Sequence, residues 1–112
     1  MKLVIAIIQD EDSSRVISAL MNDGYSVTKL ATTGGFLRAG NTTLLAGVED
    51  DRLAGCLSII EKLCKSRRQM TASPMAGGIA GVYAQMPIEV TVGGATVFVL
   101  DVEQFHKYCF SE

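Results

Sequence analysis

Residues 29–47, KLATTGGFLRAGNTTLLAG, decide how this chain folds. The run begins as a strand, breaks at Gly34 and Gly35, and resumes as a strand at Thr42. Gly and Asn are turn residues, while the flanking Leu, Thr and Val positions suit strands. Two strands joined this way are neighbours in one sheet. Across residues 24–48 there is no acid, although the chain as a whole carries a formal charge of −2. The break holds one aromatic (Phe36), one cation (Arg38) and one amide (Asn41).

Outward from this stretch the pattern is regular. Leu3 through Gln9 form a continuous apolar run of strand length. Asp10 to Ser14 supply capping residues, and Val16, Ile17, Leu20 and Met21 recur at helical spacing, predicting a helix over residues 12–23. Residues 25–31 read as a second strand and 42–48 as a third. Glu49, Asp50 and Asp51 then open a second helix whose stripe is Leu53, Cys56, Leu57, Ile60 and Cys64. Residues 66–86 show neither period and read as a long loop. Residues 88–100 read as one last strand, bent or bulged at Gly93 and Gly94, and 102–108 as a short terminal helix.

The order β-α-β-β-α-β predicts an α+β, ferredoxin-like fold: a four-stranded antiparallel sheet with two helices on one face. Residues 1–112 make one domain. In the last strand, residues 95–100 (ATVFVL) are apolar at nearly every position, so the strict alternation of a sheet with one wet face is missing. Hydrophobic residues make up 48% of the chain and mean hydropathy is +0.29. The second sheet face is therefore expected to lie against other copies of the chain in a closed homo-oligomer.

Composition excludes several functions. A sequence pI near 5.3 leaves no basic face for DNA or RNA. The N-terminal apolar run is too short for a bilayer and lacks a cleavage site, so no membrane partner is expected. Three cysteines without a Cys-x-x-Cys pattern suit reduced thiols in a cytoplasmic protein. Cys56 and Cys64 lie on the helix stripe as buried, inert thiols. His106 is the only histidine, which argues against a metal site and leaves no base for a nucleophile. It is expected to pack or cap at the terminal helix. Arg67 and Arg68 read as a solvated helix end.

Residues 35–42, GFLRAGNT, nearly fit the phosphate loop of NTPases. Asn41 replaces its lysine and a strand replaces its helix, so the NTPase reading fails. A looser reading survives. Amides around Gly34 and Gly35 can form an anion nest. Arg38 can fork a phosphate, Phe36 can stack on a base, and Asn41 can donate and accept at an adenine edge. Thr28 and Thr32 add hydroxyls. The plainer alternative is a hairpin with a hydrophobic plug: Phe36 and Leu37 on the core, Arg38 solvated, Asn41 capping a turn. Residue types alone favour the plug, since Gly, Asn and Thr are ordinary turn residues.

Residues 29–51 (KLATTGGFLRAGNTTLLAGVEDD), 92–106 (VGGATVFVLDVEQFH) and 5–13 (IAIIQDEDS) together resemble the PII-like cyclic di-AMP receptor family. The string TTGGFLRAGNTT at 32–43 is its most specific part. The resemblance implies a non-enzymatic, cytoplasmic homotrimer that binds the second messenger cyclic di-AMP in three clefts between subunits. It has no other cofactor, and signals to an unknown downstream protein through moving loops. By that likeness Thr28, Phe36, Leu37 and Asn41 hold one adenine and the Gly47 backbone sits at its edge. Gly93 and Gly94 come from the adjacent chain. The family pattern has an arginine where this chain has Ser26, implying one phosphate contact fewer. A small enzyme acting on a nucleotide phosphate, and a plain trimeric scaffold of the same fold, are the alternatives.

Overall fold

In the computed structural model, residues 1–30, 40–73 and 86–109 are described. Strand β1 (Lys2–Gln9) leads into helix α1 (Asp10–Asn22), then β2 (Val27–Leu30) and β3 (Asn41–Val48). A 3-10 turn (Asp50–Arg52) opens α2 (Leu53–Cys64). Strands β4 (Arg67–Ser73), β5 (Met86–Val92) and β6 (Ala95–Asp101) follow. Four strands form an antiparallel sheet in the order β2-β3-β1-β6, while β4 and β5 pair separately as a hairpin. The fold is α+β with two helices, matching the ferredoxin-like expectation.

Strand parity builds the core. Val4, Ala6 and Ile8 of β1 are buried with Thr42, Leu44, Ala46 and Val48 of β3, because paired residues in antiparallel strands share a face. Val16 and Leu20 of α1, with Cys56, Ile60 and Cys64 of α2, close over that face. The opposite face carries Leu3, Ile5, Ile7, Leu45, Phe98 and Leu100, and among the described residues no helix packs over it. Phe98 is 51% exposed and Leu100 46%, so β6 presents apolar side chains to solvent in the single chain.

Helix α1 begins with Asp10, Glu11 and Asp12, acids that the helix dipole favours there. It ends in a Schellman turn: the Tyr25 amide donates to the Leu20 carbonyl at 2.9 Å and the Gly24 amide to Met21 at 3.0 Å. Gly24 takes φ +86°, where a side chain would be strained. Tyr25 then fastens the two helices. Its ring is buried beneath Arg52, whose guanidinium carbon lies 4.1 Å from the ring centroid, and its hydroxyl donates to the Arg52 carbonyl at 2.9 Å. Tyr25→Phe should cost about 1 kcal/mol in denaturant unfolding, the worth of one such bond. A loss of several times that would mean that the hydroxyl holds more than α2's first turn.

Three expectations need correction. Residues 66–86 are not one loop: β4 pairs with β5 from Arg67↔Val92 to Ser73↔Met86. The pairing was hidden because Arg68, Gln69, Met70 and Thr91 are exposed, so no buried face imposes alternation. Residues 88–100 are not one bent strand. Gly93 (φ +90°) and Gly94 (φ +92°) separate β5 from β6 and pass the chain from hairpin to sheet. Residues 102–108 form no helix. Phe105 and Tyr108 are exposed there, and so short a segment needs a packed face to stay helical. His106 accordingly caps nothing: it stacks on Tyr108 with ring centroids 6.1 Å apart, and its Nε2 lies 3.0 Å from Gln104 Oε1. Among the described residues no helix is long and apolar enough to cross a membrane.

Candidate functional site

Asn41 opens β3 opposite Gln9, the last residue of β1. Two contacts fix this entry: the Asp10 amide donates to the Gly40 carbonyl at 2.7 Å, and the Thr42 hydroxyl donates to the Asp10 carboxylate. Asn41, Thr43, Leu45 and Gly47 alternate onto the helix-free face, and Thr28 joins them because it pairs with Leu45. The described β2–β3 candidates, Thr28, Asn41 and Gly47, therefore share one sheet face. Asn41 and Gly47 lie six residues apart in one strand, a span of about 20 Å. Thr32, Gly34, Gly35, Phe36, Leu37 and Arg38 fall outside the described residues.

Gly93 and Gly94 meet Asn41 within a single chain. A cavity of about 280 Å³ is lined by Gln9, Asn41, Gly93, Gly94 and Thr96, together with Ile7, Ile8 and Ala95. The Gly93 amide donates to Gln9 Oε1 at 2.7 Å, and the Gly94 amide donates to the Cys64 carbonyl at the end of α2. A Cβ added at Gly93 would lie 2.6 Å from the Lys65 carbonyl oxygen and 3.1 Å from that of Cys64, so only glycine fits. A neighbouring cavity of about 410 Å³ is lined by Gln9, Asn41, Gly40 and Val92 together with Asp10 and Glu11. Those two acids were missed by reading residues 24–48 alone, because α1 brings them beside Asn41 from a distant part of the sequence. A third cavity, of about 610 Å³ between α2 and β6, touches only Gly94 among the candidates.

Behind the glycines stands a charge cluster. Asp12 is fully buried, and its Oδ1 accepts from Arg15 at 2.6 Å and from Arg67 at 2.9 Å. Burial works to raise the Asp12 pKa, but the hydrogen bonds from Arg67 and Arg15 outweigh it and hold the carboxyl below its usual range. Arg67 also reaches the Lys65 carbonyl at 3.3 Å. It is thus no solvated helix end; it ties the first residue of β4 to α1. Among the described residues Arg68 makes only an exposed pair with Glu89 at 3.4 Å, worth little. The Cys56 and Cys64 thiols are buried, and burial pushes both pKa values up, so thiolate is scarce at neutral pH. Among the described residues no three His, Cys, Asp or Glu side chains cluster as metal ligands.

The arrangement is a small amide-lined recess beside a face of threonines and apolar residues. The described lining offers backbone amides, two carboxamides and a hydroxyl for hydrogen bonding. Solved structures include a similar chain, a protein of unknown function from Pediococcus pentosaceus ATCC 25745. It is 42% identical, with TM-score 0.74 and 96% of each chain covered. Residues 1–108 match the model of the family described as "Cyclic-di-AMP receptor". On that match over nearly its whole length, the chain belongs to the cyclic-di-AMP receptor family.

Proposed function

We propose that this protein is a non-enzymatic receptor that binds cyclic di-AMP where subunits of a cytoplasmic homotrimer meet. Binding reshapes the loops read by a downstream protein. The observation that carries the reading is the placement of Thr28, Asn41 and Gly47 on the sheet face that no helix covers among the described residues. That same face carries Ile5, Phe98 and Leu100, apolar residues suited to contact with another copy. In this reading Thr28 and Asn41 hold one adenine with the Gly47 backbone at its edge, and Gly93 and Gly94 come from the adjacent chain. Thr32, Gly34, Gly35, Phe36, Leu37 and Arg38 complete the site in this reading. Phe36 stacks on adenine, Leu37 packs beside it, and the glycine amides and Arg38 take phosphate.

Calorimetric titration with cyclic di-AMP, paired with thermal melts, tests the reading. At free ligand one hundred times the dissociation constant the native state should gain about 2.7 kcal/mol per site. No heat and no melting shift at saturating ligand would overturn it. Phe36→Ala should weaken binding roughly tenfold or more, the worth of one stacked base, without dissociating the trimer in light scattering. Ligand recovered intact after long incubation separates a receptor from an enzyme.

A further inference from the structure

The proposed ligand site contains a residue that neither the loop motif nor the glycine pair announces. We infer that Gln9 determines base specificity: its carboxamide oxygen holds the Gly93 turn, and its amide protons donate to a ring-nitrogen acceptor of the adenine. The inference rests on the receptor reading above and goes beyond it.

The first observation is an orientation. The partner of the Gln9 side chain is a backbone N–H, the amide of Gly93 at 2.7 Å. A backbone amide can only donate, so the atom facing it is the carboxamide oxygen and the NH₂ points away from the turn. Among the described residues no acceptor takes those NH₂ protons. The second observation is location. Gln9 lines both cavities that flank Asn41, and it is the register partner of Asn41 on the final rung of the β1–β3 ladder. Two carboxamides thus stand side by side on one face, within about 5.5 Å backbone to backbone.

Their hydrogen-bonding capacities differ. Asn41 can both accept and donate. Gln9, its oxygen occupied, can only donate. The Watson–Crick edge of adenine offers a donor, the 6-amino group, beside an acceptor, N1. Asn41 accepting from the amino group and Gln9 donating to N1 satisfies both. Guanine presents the reverse, an acceptor at O6 and a donor at N1, and would set the Gln9 NH₂ against an N–H. The acids Asp10 and Glu11 beside the second cavity disfavour a phosphate there and leave this end to the base.

Three chains are titrated with cyclic di-AMP and cyclic di-GMP, and melted without ligand: wild type, Gln9→Glu and Gln9→Met. Gln9→Glu keeps an oxygen for the Gly93 amide but has no proton to give. It should melt near the wild type, lose tenfold or more in affinity for cyclic di-AMP, and narrow the preference over cyclic di-GMP. Gln9→Met lacks the acceptor as well and should lose both melting temperature and affinity. A wild type that ignores cyclic di-AMP overturns the receptor reading and this inference with it. A binding wild type beside a Gln9→Glu chain of unchanged affinity and selectivity overturns the inference alone. So does a Gln9→Glu chain that melts as low as Gln9→Met, since the oxygen was then not what held the turn.

Discussion

Gly93→Ala should destabilise the protein by about 3 kcal/mol, lowering the melting temperature by roughly 10 °C or more. Two costs act together. An alanine at φ +90° leaves the region open to L side chains, which costs about 1–2 kcal/mol. Its methyl would also stand 2.6 Å from the Lys65 carbonyl oxygen and 3.1 Å from that of Cys64. These two are backbone atoms where α2 hands over to β4 and cannot swing aside; the Arg67 side chain, with Nη1 at 3.0 Å, crowds the methyl as well. The Gly93 bond to Gln9 and the Gly94 bond to Cys64 would loosen with the turn. Melting and ligand titration of the same variant check this. Hydrogen exchange should show earlier opening of Arg67–Ser73 and Met86–Val92 than of the central sheet. An unchanged melt would mean that the junction yields freely, and that the hairpin has no fixed angle to the body.

Asp12→Ala is expected to cost about 2 kcal/mol in denaturant unfolding. Removing one member of a buried pair costs about 3–5 kcal/mol when the remaining charge is stranded away from water. Here Arg15 and Arg67 keep about half and about a third of their side chains exposed, so water takes over part of their solvation. The charge also predicts an acid limb. The folded carboxyl titrates below its ordinary value of 3.8. Its stabilising contribution is therefore complete above that value and is lost as pH falls through the depressed one. Unfolding measured between pH 6 and about pH 2 should steepen in the wild type below the ordinary aspartate range. Asp12→Asn, which carries no titrating group, should flatten that limb. An identical acid profile in the variant would sink the assignment.

The two variants act on one structural unit. Arg67 starts β4, Gly93 and Gly94 follow β5, and both ends of the hairpin meet at the end of α2. One end is held by charge through Asp12, the other by amide bonds to Gln9 and Cys64. A ligand in the recess lined by Gln9, Asn41, Gly93 and Gly94 lies against the second anchor. That gives the receptor reading a physical path from binding to the hairpin.

Much of the fold was legible in the sequence. The apolar run of β1 and the helical stripes of both helices are local patterns, and they specify local structure. The site was legible in part. Thr28, Asn41 and Gly47 stand where strand parity puts them, all on one face. Gln9 was not legible: a polar residue ending an apolar strand looks like any strand terminus. Its role depends on Gly93, which lies 84 residues away. The same holds for Asp12, which reads as a helix-opening acid until Arg67 is seen beside it.

By itself the sequence determined the order of the sheet strands and helices along the chain and the apolar stripe of each helix. Both follow from repeats of 2.0 and 3.6 residues acting over a few neighbours. Only the tertiary structure decided that residues 67–73 and 86–92 leave the sheet as a hairpin, and that Gln9, Asn41 and two glycines close one recess. Those outcomes depend on contacts between residues far apart in the chain, at φ values and distances that no local repeat encodes.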